Sequence, residues 1–117
     1  MNTDKWSDNE LLETVTAYML MLNMERAGQP YSKTDFRKKL LNGPLFNRTK
    51  GSIELRMQNI SAFREEKGLD WIYGYKPMYH IGKGVKARIG EIFEKYNEEP
   101  PPQVSSVLTQ TIRKIYP

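Results

Sequence analysis

The stretch Arg48-Thr49-Lys50-Gly51-Ser52 gathers within five positions the groups that hold a phosphate. Arg48 and Lys50 supply charge, Thr49 and Ser52 supply hydroxyls, and Gly51 lets the backbone come close. Phosphate contacts of this kind use Lys, Arg, hydroxyls and the N–H groups of a helix N-terminus. A helix starting here carries Arg56 one turn on, then Gln58 and Asn59. These are the side-chain types that read guanine and adenine edges in a major groove. Lys33, Arg37 and Lys38 precede this stretch, and Tyr75 and Lys76 follow it. Aromatics set among basic residues can stack on bases. Duplex DNA is therefore the expected partner, with Lys33, Arg37, Lys38, Arg48, Thr49, Lys50, Gly51, Ser52, Arg56, Asn59, Tyr75 and Lys76 as the candidate contacts. Asn59 has two readings. It borders the Ile53–Met57–Ile60 stripe, so it either reaches a base or hydrogen-bonds inside the fold.

Other chemistry has little to build on. The chain has one histidine, His80, and no cysteine, which excludes disulfides, thiolate catalysis and Cys-containing zinc sites. No HxH, HExxH or DxD spacing is present, and the Gly82-Lys83-Gly84 triplet lacks the length and the Ser/Thr of a P-loop. The chain is expected to be non-enzymatic, without cofactor or metal. Charge points the same way as the motif. Residues 31–90 hold thirteen Lys and Arg against five Asp and Glu, a surplus of eight, while the rest of the chain nets −4. A basic middle between acidic ends suits a polyanionic partner. No apolar run approaches the roughly 20 residues of a membrane helix. The N-terminus is polar and acidic, unlike a signal peptide. A cytoplasmic protein is the expectation.

The elements that must position these residues are mostly helical. Ser7 with Glu10 forms a capping box, and Leu11, Val15, Tyr18 and Leu22 recur at helical spacing until Gly28 and Pro30. The second half of this helix is apolar almost all round, which makes it either a central post or a subunit contact. A second helix is expected after Ser32, with Asp35 completing its box and Phe36, Leu40 and Leu41 inward. In the following loop Leu45 and Phe46 are expected to tuck in. The third helix is capped by Thr49 or Ser52 and ends at Gly68 as its C′ residue. "LDWIYGYKPMYHIGKG" reads as extended or irregular chain around a Gly-Tyr-Lys-Pro turn, compatible with a short β-hairpin. A fourth helix runs over "VKARIGEIFEKYNEE", with Val85, Ile89, Ile92, Phe93 and Tyr96 inside.

These elements give a mainly α domain over residues 1–97 with helix-turn-helix or winged-helix character, its wing in the Gly-Tyr-Lys-Pro region. A Pro-rich spacer over 98–103 and an amphipathic helical arm over 104–117 complete it. Helix one or the arm offers a homodimer or protein-interaction surface, the alternative role for the chain.

Three strings, "AYMLMLNMERAGQPYSK", "FRKKLL…LFNRTKGSIELRMQNISAF" and "GLDWIYGYKPM", together resemble a small N-terminal domain of many bacterial proteins. Several of those proteins carry C-terminal HNH-type nuclease domains of restriction character. The likeness spans about residues 6–80, and Arg48, Gly51, Ser52, Ile53, Glu54, Asn59, Ile60, Ser61, Gly74, Tyr75, Lys76 and Pro77 match its pattern. The resemblance implies DNA contact on behalf of a nuclease, in a restriction, defence or regulatory context. The nuclease's own His, Asn and Cys residues are missing from these 117 residues, so they are expected to be the binding module, with any nuclease either downstream of Pro117 or in a partner chain.

Overall fold

A computed structural model describes residues 5–98. It has four helices: α1 (Asp8–Arg26), α2 (Lys33–Leu41), α3 (Lys50–Glu66) and α4 (Lys83–Glu98). The mainly α expectation is met. The spacer and arm expected over 98–103 and 104–117 lie outside the described residues, apart from the backbone of Glu98.

Each of the first three helices starts where a side chain can take an orphan N–H. Ser7 and Glu10 bond each other's backbone at 3.1 and 2.9 Å, closing the expected box on α1. Ser32 Oγ accepts from Asp35 N–H at 3.1 Å. On α3 the cap is Thr49, with Ser52 as its reciprocal partner three residues on. Two helices stop at glycine. Gly28 (φ +69°) and Gly68 (φ +73°) take the left-handed conformation that lets the chain turn back. Gln29 N–H then reaches Met24 O at 2.9 Å, and Leu69 N–H reaches Arg64 O at 2.9 Å.

α1 packs against all three other helices, and its residues from Leu11 to Leu22 are buried except Leu12. It is the central post. α2, α3 and α4 cover most of the apolar surface that the homodimer expected through this helix would use. α3 adds Ile53, Met57 and Ile60 to the core, and α4 adds Ile89 and Phe93, with the Phe63 and Phe93 rings stacked at 5.4 Å. No helix among the described residues is long and apolar enough to cross a membrane.

The β-hairpin expected between α3 and α4 is corrected. Residues 69–82 form no strand; they lie over α3 and α1 and, apart from Tyr75 N–H on Ile72 O at 3.0 Å, they bond to groups outside the segment. Ile72 N–H donates to Tyr18 Oη at 2.9 Å, and Tyr18 Oη also meets Ser61 Oγ at 2.7 Å. Tyr73 N–H donates to Glu25 Oε2, and Met78 N–H donates to Gln58 O. Pro77 lacks a donor and these N–H groups are already taken, which works against a ladder here. The wing of a winged helix is absent with the hairpin. A second correction falls in the α2–α3 connection. Leu45 is fully buried as expected, but Phe46 points outward at 72% exposure. Leu45 N–H is held by Leu40 O at 2.8 Å, which fixes which of the two neighbours faces the core.

Candidate nucleic-acid interface

The candidate residues fall into two groups when their surroundings are followed. Arg48 leads the first. Its Nε and Nη2 bond both oxygens of Glu10 at 2.8 Å, Nη2 also donates to Lys5 O at 2.9 Å, and its guanidinium lies 4.8 Å from the centre of the Trp6 ring. Bidentate Arg–carboxylate geometry of this kind is the strong form of ion pair. The Arg48 bonds hold the Glu10 carboxyl below its ordinary pKa. Arg56 sits 4.8 Å from the same Trp6 ring, and its Nη1 donates to Asn59 Oδ1 at 3.1 Å. Burial first, then the nearby charges of Arg48 and Arg88, lowers the Arg56 pKa. Its Nε is buried without a hydrogen-bond partner among the described residues.

Arg88 completes this cluster from α4. It donates to Asp8 Oδ1 at 2.7 Å and to Trp6 O at 2.6 Å. Three arginines, from the α2–α3 connection, α3 and α4, thus fasten the Trp6 segment to the body. Trp6 and Arg88 were absent from the sequence expectation. Acidic Glu10 and Asp8 next to a tryptophan were the only sequence signal, and it does not name the arginines.

Asn59 has a clear place. It is 1% exposed, and its amide donates to Met78 O at 2.7 Å and to His80 O at 3.3 Å. All its polar atoms point into the protein, holding the 69–82 segment to α3. Of its two readings, the geometry is that of the inward one. Tyr75 is likewise buried, its ring 6.3 Å from that of Tyr18 and beneath the Lys33 ammonium at 4.1 Å. Lys33 also donates to Gly74 O at 2.7 Å and pairs with Glu54 at 3.6 Å. Arg48, Arg56, Asn59 and Tyr75 are therefore engaged within the fold, and Lys33 largely so.

The second group remains outward. Lys38, Thr49, Lys50, Gly51 and Lys76 are exposed, and Arg37 and Ser52 are half-buried. Lys33 ties α2 to Gly74 and to Glu54 on α3, so α2, the start of α3 and residues 73–76 share one surface. Open space surrounds Gly51, leaving the first turn of α3 approachable. Helix starts carry N–H groups without intrahelical partners and the positive end of the dipole. Thr49 and Ser52 spend their hydroxyls on each other's backbone, as caps. Phe46 and Tyr73, 72% and 88% exposed, are the aromatics that composition gave no reason to place outside. The acids on this side include Asp35, Glu54 beside Lys33, and Glu25, which accepts from Tyr73 N–H. The α2–α3 connection, residues 42–49, is longer than the three to four residues of a helix-turn-helix turn. No cluster of three or more His, Asp or Glu side chains arranged to hold a metal occurs among the described residues. No family model matches the chain, and neither a curated protein nor a solved structure is similar to it.

Proposed function

We propose that this chain is a DNA-binding module acting through the surface shared by α2, the start of α3 and residues 73–76. One observation carries the reading. Lys38, Lys50 and Lys76, with Arg37, remain outward around an open helix N-terminus after the other candidate cations have been spent inside the fold. Arrangements of this kind neutralise phosphates and set register on a duplex. The α2–α3 pair acts as a helix-turn-helix with a lengthened turn, without a wing. Exposed Phe46 lies within that turn, available to stack or wedge. A bacterial restriction or defence setting and delivery of a nuclease carried elsewhere belong to the same proposal and rest on the sequence resemblance; a cytoplasmic location is proposed from the polar, acidic N-terminus and the lack of cysteine.

Titration of a labelled duplex by fluorescence anisotropy at several salt concentrations tests it. The logarithm of affinity should fall against the logarithm of salt with a slope of about −0.9 per neutralised phosphate. Alanine at Lys38, Lys50 and Lys76 together should flatten that slope by about three units. Absence of binding at low salt, or a slope unchanged by the triple substitution, would remove the reading.

A further inference from the structure

At the other end of α3 the described residues leave an open cleft of about 920 Å³ between α1 and α4. α3 floors it with Phe63 and Arg64. One wall is the Met19, Asn23, Arg26 edge of α1, and the other runs along α4 from Lys83 to Glu94. Twelve residues of helix give the α4 wall a length of about 17 Å, or three turns. Gly90 stands in this wall with no side chain, and Phe93 beyond it stacks on Phe63. Apart from Arg64, the floor is apolar. The rim is not: five of the lining residues are cationic and only Glu94 is acidic. Arg26 and Arg64 answer Asp70, and Lys86 answers Glu66. Lys67 and Lys83 are exposed, and no acid pairs with either at salt-bridge distance among the described residues.

We propose that this cleft docks an acidic amphipathic helix of a partner protein. A three-turn trough between two helices matches the helix-in-groove mode, in which apolar residues at i, i+3/i+4 and i+7 enter the floor. Gly90 belongs to the packing of the cleft itself, since a Cβ there would lie 3.6 Å from the Phe63 ring. Lys67 and Lys83 meet acidic residues on the flanks of the incoming helix, and rim charges of this sort set partner choice and encounter rate. A basic helix would meet like charge at Lys67 and Lys83. The inference stands apart from the DNA-binding reading, because Lys67 lies at the opposite end of α3 from Lys50, about 25 Å along the helix axis.

Two fluorescent eighteen-residue peptides with leucine at the same helical positions and either glutamate or lysine elsewhere provide the probe. Anisotropy with the full chain at physiological salt should show the acidic peptide binding at least about tenfold more tightly than the basic one. The Lys67→Glu, Lys83→Glu double variant should weaken the acidic peptide by about tenfold or more, since both side chains are exposed and the fold tolerates the change. Lys38→Glu with Lys50→Glu should leave the peptide affinity unchanged. Equal binding of both peptides, or acidic-peptide binding indifferent to the Lys67 and Lys83 changes, overturns the proposal. So does competition by a peptide of residues 104–117, which would assign the cleft to the chain's own segment. Displacement by duplex DNA would assign it to nucleic acid and overturn it equally.

Discussion

Asn59→Ala separates the two roles this residue can play, because they predict opposite measurements. Alanine deletes two amide bonds, to Met78 O at 2.7 Å and His80 O at 3.3 Å, and the bond accepted from Arg56 at 3.1 Å. A neutral hydrogen bond contributes about 0.5–1.5 kcal/mol net, and one to a charged group about 1.5–3 kcal/mol. The long His80 bond belongs at the low end, since that residue is exposed and water can replace the donor. The expected loss is about 3 kcal/mol, a large share of the ~5–15 kcal/mol by which domains are stable. With a urea m-value of about 2 kcal/mol/M, the midpoint should fall by about 1.5 M. Trp6 and Trp71 supply the fluorescence signal. Under conditions where the variant is fully folded, DNA affinity should change by less than about twofold. A direct base contact is worth about 1–3 kcal/mol of discrimination. A midpoint nearly unmoved, together with a tenfold or greater loss of DNA affinity, would therefore refute the inward role.

Three further outcomes are expected. Glu10→Gln and Arg48→Ala should each cost about 2–3 kcal/mol in urea unfolding. That is below the ~3–5 kcal/mol of fully buried pairs because their side chains are 15% and 11% exposed, and a double-mutant cycle should show coupling above about 1 kcal/mol. Stability should fall at both pH extremes. Burial raises the phenol pKa of Tyr18, Tyr31 and Tyr75, so above pH ~10 the unfolded chain releases protons that the native state keeps, and stability drops as pH rises. In acid, Arg26 and then Arg64 hold the Asp70 carboxyl well below the usual range, and Arg48 lowers Glu10. Their contribution is present above pH ~4 and lost as pH falls below it. Asp70→Asn should shallow that acid limb, modestly because Asp70 is half-exposed. Finally, Leu45→Ala should cost about 2–5 kcal/mol by leaving a cavity. Phe46→Ser beside it should stay within about 0.5 kcal/mol of the parent, as exposed positions do; thermal melts distinguish the pair.

Much of the helical layout was legible in the residues. Ser7 with Glu10, Ser32, Thr49 with Ser52, Gly28 and Gly68 act on backbone within a few positions of themselves, so their effects depend on little beyond local sequence. The Leu11–Val15–Tyr18–Leu22 stripe worked for the same reason. The candidate site was legible in type but not in direction. A guanidinium that suits a phosphate suits a carboxylate equally well, and Arg48 found Glu10 across 38 positions of chain. An amide that can read adenine can also hold two carbonyls, and Asn59 holds those of Met78 and His80.

The 69–82 segment shows the same division. Its aromatics and glycines announced an end to helix, yet whether it paired as a hairpin depended on partners far away in sequence. Tyr18, Glu25 and Gln58 took the N–H groups of Ile72, Tyr73 and Met78, which removed them from any ladder. By itself the sequence determined where helices begin and end, which residues form the apolar stripes, and that the middle of the chain is basic. Tertiary structure alone decided which cations stay outside. The central position of α1 brought Trp6, Glu10 and Tyr18 against residues up to 82 positions distant, and only that packing separates Lys38, Lys50 and Lys76 from Arg48 and Arg56.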